Sequence, residues 1–158
     1  MQVSKSHRIF AALKQRKMCI TKFRGFSTCF TEDEFFYGDL VHYDYGKCYI
    51  VEQYCRNWDI TGQGIEVDPK SVGQFTGLYD KEDEEIYQGD IVNVDEIRNR
   101  SYAVGFVQGS FVLIPYDEDL GDEIEESYII SAFLESEKSN KCKLKIIGNV
   151  YENKCRNK

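Results

Sequence analysis

EFFYGDLVHYD, residues 34–44, and EIYQGDIVNVD, residues 85–95, are two versions of one phrase, and their likeness decides how the chain is read. At an offset of 51 residues, Glu34, Gly38, Asp39, Val41 and Asp44 recur as Glu85, Gly89, Asp90, Val92 and Asp95. Upstream, and with a one-residue gap, KFRGF (22–26) answers QFTGL (74–78), each keeping an aromatic and a glycine two residues apart. A period near 50 residues is the size of a small β-module, so the pattern points to tandem duplication of one unit whose copies fold alike. In both copies the glycine-aspartate pair suits a turn, after which Leu40, Val41 and Tyr43, or Ile91, Val92 and Val94, enter a strand. Gly38, Asp39, Gly89 and Asp90 are therefore read as structural turn residues.

The sequence around the two phrases has the same texture. With 11 Tyr and 10 Phe the chain favours strands. Short β-like runs lie at 21–26, 35–43, 48–54, 65–67, 91–94, 102–107, 110–116 and 144–151, separated by turn signals at 44–47, 61–64 and 108–110. A hairpin joined at Gln108 and Gly109 follows the second phrase. These features predict a mainly β protein with minor α content, built as duplicated SH3-like small barrels or one composite barrel. The expected organisation is a basic N-terminal helix or arm (1–19, helical over 6–18), a first β-module (20–70) and a second β-module with a C-terminal strand (71–158), packed as one globular unit. Residues 127–135 fit a strand or a helix, and helix is preferred.

Charge is segregated along the chain. Residues 1–25 carry seven Lys or Arg and no acid, and residues 138–158 carry seven more against Glu152 alone. The interior, 26–137, holds six bases against 26 acids. An acidic body repels phosphate, which argues against a nucleic-acid surface there. The basic arm suits phosphates or the chain's own acidic body, and the second option needs no partner. No apolar run is long enough for a membrane-spanning helix, and no apolar stretch of signal-peptide length follows the early basic residues.

Six cysteines lack the spacing of disulfide scaffolds or zinc knuckles and are read as reduced structural thiols. Only His7 and His42 could serve a nucleophile as imidazole base, and His42 is replaced by Asn93 in the second copy. Asp39 and Asp90 recur as a pair, but an aspartate that bonds neighbouring backbone N–H groups explains the recurrence without catalysis. The seven carboxylates within 115–126 lack the alternation of a calcium loop. No cofactor and no metal is expected.

VGQFTGLYDKEDEEIYQGDIV (72–92) and IIGNVYEN (146–153), with KFRGF and FFYGDLV upstream, resemble the YopX family of phage and prophage proteins over about residues 20–153. That family shows a QYTGL or QFTGL phrase, a DKNGKEIYEGDIV phrase and a terminal IGNIYEN phrase. The turn DKEDEE (80–85) departs from this pattern by losing asparagine-glycine. The resemblance implies a mostly β fold, carriage on a phage or prophage and a bacterial cytoplasmic setting; it brings no established activity.

The functional expectation is a phage-derived accessory protein acting as a non-enzymatic module that binds a host or phage protein, with Tyr43, Tyr45, Tyr54 and Trp58 as contacts. Alternatives are a nucleic-acid-associated regulator using the basic arm, or an acidic body that mimics DNA. An enzyme, such as a hydrolase, using Asp39, Asp90 or a cysteine ranks last. Exposed edge strands also make self-association compatible with this reading.

Overall fold

The computed structural model describes residues 21–27, 34–51, 64–94, 100–116, 127–136 and 140–152. The expected helix within 1–19 lies outside them. Among the described residues eleven strands fall into two antiparallel sheets: β1 Phe23–Ser27, β2 Glu34–His42, β3 Cys48–Val51, β4 Ile65–Val67, β5 Gly73–Tyr79, β6 Glu85–Tyr87, β7 Asp90–Val94, β8 Ser101–Val107, β9 Ser110–Pro115, β10 Tyr128–Ile129 and β11 Leu144–Asn149. The first sheet has the order β4-β3-β2-β1-β5-β6 and the second β10-β9-β8-β7-β11.

The first sheet coils strongly without closing. The chain leaving β4 comes back to β1, where Asp68 N donates to Phe26 O (2.9 Å) and Phe26 N donates to Ser71 Oγ (2.7 Å). Gly25 permits this approach, since a Cβ there would lie 2.6 Å from Val67 Cγ2. These contacts substitute for a ladder between β1 and β4, so among the described residues the sheet is a curled open one and the expected closed barrel is not formed. Cys48, Ile50 and Val67 centre a small core inside the curl. A larger core, with Ile86, Val92, Tyr102, Leu113 and Leu144, lies under the second sheet. There β7 is buried along its length except for Asn93, as expected of a central strand covered on both faces.

Strand pairing repeats between the halves. The front of β2 pairs with β1 and its rear with β3, and the change of partner falls between Gly38 and Asp39. In the second half β6 pairs with β5 and β7 with β8, and the change falls at Gln88-Gly89. Local backbone differs, which corrects the expected pair of turns. Gly38 and Asp39 continue through the middle of one nine-residue strand, whereas Gly89 takes φ +88° and breaks the chain into β6 and β7, which enter different sheets. A strand that changes partner within one coiled sheet needs no break, while one that crosses between sheets does.

The hairpin at Gln108-Gly109 forms as expected, with φ of 49° and 80° and Val107 facing Ser110 across a two-residue type I′ turn. In place of the preferred helix at 127–135, the chain makes the short strand β10 and a single 3-10 turn over Ile130–Phe133 that buries Ile130. Cys48 and Cys142 are buried free thiols, as structural cysteines should be; the other four lie outside the described residues.

Candidate functional site

A buried polar cluster gathers where β1 meets the β6–β7 turn. KFRGF places Arg24 between Phe23 and Gly25 in the largely buried strand β1, so its cation must find a buried partner. Its guanidinium lies between the rings of Phe35 and Tyr87, 4.8 and 4.9 Å from their centroids. Nη2 donates to Asp90 Oδ1 at 2.5 Å and, more weakly, to Gln88 O at 3.4 Å. Both residues of the pair are buried.

Asp90 is held from three sides. Its Oδ2 accepts from Tyr87 N (2.7 Å), an aspartate closing its own turn, and its Oδ1 also takes a long bond from Asn149 Nδ2 (3.5 Å). Asn149 Oδ1 accepts from Tyr151 N (2.8 Å), and the Tyr151 hydroxyl donates to Asp68 Oδ2 (2.8 Å). The network thus runs from the second sheet back to the end of β4. Burial sets Asp90 above the usual carboxylate pKa, although the Arg24 charge and the donors from Tyr87, Arg24 and Asn149 pull it down.

Beside this cluster opens a cavity of about 520 Å³ with Tyr37 and Tyr87 in its wall and Glu82, Asp83, Glu84 and Glu85 around it. Lys22 Nζ bonds Glu85 Oε2 (2.6 Å) and stands over the Tyr37 ring at 5.5 Å. The Tyr87 hydroxyl donates to the same oxygen at 2.6 Å. Burial pushes the Glu85 pKa up, but the bonds from Lys22 and Tyr87 and the Lys22 charge outweigh it and hold the group below its ordinary value. Tyr87 moves the other way: burial first, then its bond to Glu85, raise its hydroxyl far above 10.0. Around the rim Glu82 pairs with Lys145 (2.7 Å) and Asp83 with Lys141 (2.8 Å).

The sheltered Asp80 carboxylate accepts from the backbone N–H of Glu82 (2.7 Å), Glu84 (3.0 Å) and Ile146 (3.2 Å). This is how DKEDEE turns without asparagine-glycine: Asp80 caps the bend and Asp83 takes φ 68°. Most carboxylates of the cavity are therefore committed to internal partners. They fix the junction of the two sheets, and the arrangement provides structure before it provides an acid or a base. No group of three or more potential metal ligands occurs among the described residues.

The two aspartates of the repeated phrase part company. Asp90 is buried in the cluster, whereas Asp39 is on the exposed side of β2. Gly89 supplies the turn that aims Asp90, and Gly38 is a buried strand position. Tyr43 and Tyr45 project from the β2–β3 connection, the first largely and the second fully exposed. Tyr54 and Trp58 lie outside the described residues. Sequence reading missed Arg24, Tyr87 and Asn149 as a unit, although a lone arginine among aromatics in KFRGF was a usable signal.

QFTGL, EIYQGDIV and IIGNVYEN converge on this junction. Gln88 N donates to Gln74 O (2.9 Å), and Val150 N donates to Gly89 O (2.9 Å). Thr76 Oγ1 donates to Ile86 O (2.8 Å), bracing a bulge in β5 at Gly77, φ 81°. The phrases thus build one structural joint. No curated protein matches the sequence. The model of the YopX family, described as YopX protein, matches residues 22–156, and the chain belongs to that family.

Proposed function

We propose that this YopX-family chain is a phage- or prophage-derived accessory protein of the bacterial cytoplasm, working as a non-enzymatic protein-binding module that presents the β2–β3 turn to a partner. The observation that carries the reading is Tyr45. It is fully exposed and held at φ 67°, a conformation costly for a bulky residue and tied to function more often than chance. Tyr43, also exposed, packs edge-on against Tyr49 at 5.8 Å, which steadies the turn below it. Rigid, exposed tyrosines are efficient contacts because little side-chain entropy is lost on binding. The commitment of the buried carboxylates to internal partners supports a binding role over hydrolysis. Two modules derived from one duplicated unit, 20–70 and 71–158, fit the repeated strand pairing and the two cores.

The test is affinity capture from lysate of a bacterial host with the wild-type chain and with Tyr43→Ser/Tyr45→Ser. The reading expects a defined partner that the double variant loses; the same partner retained by both would sink it. The excess of acids over residues 26–137 favours one alternative, a body that mimics DNA before a basic host protein. Competition between this chain and duplex DNA for the captured protein would mark it. Nucleic-acid binding by the basic arm would instead appear as a salt-sensitive mobility shift lost on removing residues 1–19.

A further inference from the structure

The residues between Arg100 and Asp117 include no Asp, Glu, Lys, Arg or His, in a protein of which 30 % is charged. They form the β8–β9 hairpin, whose far end lies beyond its ladders with the described neighbouring strands. The ladder with β7 stops at Ala103, with one further bond from Gly89 N to Val104 O, and β10 covers β9 only at Val112 and Leu113. Among the described residues the exposed tip, 106–110, therefore extends past the ladders with both flanking strands, while Phe111 packs on the larger core. The tip is closed by the type I′ turn, with the Phe106 and Phe111 rings 5.0 Å apart. Phe106 is 48 % and Val107 40 % exposed, so the tip offers uncharged apolar surface.

We infer that this tip is a self-association surface that docks on the tip of a second copy of the chain. Each copy carries a net charge of −7, so two copies repel wherever their acidic faces meet. A twofold contact sets each patch against itself, and any charge in it meets its like. The tip is free of that penalty. The exposed apolar residues of β2, by contrast, stand among Asp39, Asp44, Lys47 and Glu66. A contact of so few residues belongs to the small, transient class of interfaces, so the dimer forms as protein concentration rises.

Sedimentation velocity of the full chain over a concentration series, at low and at high salt, tests the inference. The mean mass should climb from one chain toward two, and climb further at high salt, where screening removes repulsion between the bodies. Phe106→Ser/Val107→Ser should abolish the climb, whereas Ile147→Ser, at an equally exposed apolar position on β11, should leave it intact. Gln108→Glu, which adds one like charge at an exposed turn without removing packing, should weaken association at low salt and regain it at high salt. A monomer at every concentration, or a dimer indifferent to Phe106 and Gln108, overturns the inference. So does Phe106-dependent flotation of a monomeric chain with phosphatidylcholine vesicles, which would make a lipid surface the occupant.

Discussion

Arg24 Nη2 and Asp90 Oδ1 meet at 2.5 Å across 66 residues of sequence, joining the first β-strand to the turn that opens the second sheet. The contact runs between the two halves, and the repeat does not reproduce it. The position of Arg24 is filled in the second phrase by Thr76, and that of Asp90 in the first by the exposed Asp39. The halves share a pairing scheme, yet the joint between them is made once, from one side chain of each.

Truncating one partner should be costly. Arg24→Met leaves the Asp90 carboxylate buried without its cation, which costs about 3–5 kcal/mol. Asp90→Leu leaves the Tyr87 N–H and the arginine unpaired, a loss of the same order. The double variant should cost clearly less than the two singles added, because no uncompensated charge remains. Urea unfolding of the four proteins measures the coupling; strictly additive costs would refute the joint.

Glycine at position 73 is required by close approach rather than by backbone angle. A Cβ there would lie 2.3 Å from the backbone oxygen of Gln88, which is unable to swing aside as a side chain would. Gly46, at φ +77°, has nothing within 4 Å of its added Cβ. Gly73→Ala should therefore cost about 3 kcal/mol through displaced backbone, and Gly46→Ala about 1–2 kcal/mol through strain alone. Equal losses in thermal melts would contradict the packing of β5 against the β6–β7 turn.

Most strands were legible in the sequence where alternation was clean: 65–67 matches β4 residue for residue, and 102–107 and 110–116 match β8 and β9 to within a residue. β5 and β6 escaped notice because a bulge at Gly77 breaks the alternation of one and the other is three residues long. Residues 130–133 were hard to place because a 3-10 turn buries a single apolar residue and leaves no period to count. The Arg24–Asp90 joint was hidden for a deeper reason. Aligning the two phrases set Asp90 beside Asp39, whereas its physical partner lies in KFRGF, upstream of the other phrase, and no periodicity reports such a contact.

Alkaline pH should loosen the fold through two buried acids. Burial raises the Cys142 thiol from 9.0 to about 11, and burial followed by the bond to Glu85 raises the Tyr87 hydroxyl above 10.0. A group whose folded pKa lies above its unfolded value gives stability that is complete below the unfolded pKa and lost as pH climbs through the folded one. Stability should thus fall from about pH 9 upward. The thiol accounts for up to about 2–3 kcal/mol between its two pKa values. Cys142→Ala should flatten that part of the curve while Tyr87 keeps the remainder above its unfolded pKa. Denaturant midpoints at successive pH values follow both, and an unchanged slope in the variant would exclude the thiol.

The Asp80 turn gives the sharpest local test, because its effect should appear at named amides. Asp80 receives three backbone N–H groups, two from its own bend and one from Ile146 on β11, so it sets the turn and pins the outer edge of the second sheet together. Asp80→Ala removes the charged acceptor from all three, costing about 2–4 kcal/mol when bonds to a buried carboxylate are lost and donors are stranded. Asp80→Asn keeps the oxygen that faces Glu82 and Glu84 but turns an amide NH₂ toward the Ile146 N–H, so one contact becomes donor against donor. Amide exchange should then separate the two variants. Alanine exposes Glu82, Glu84 and Ile146 alike, while asparagine accelerates Ile146 and spares the other two. Uniform protection in Asp80→Asn would show that β11 is held by its ladder with β7 and by Lys81 N on Leu144 O, and that Asp80 serves only its own bend.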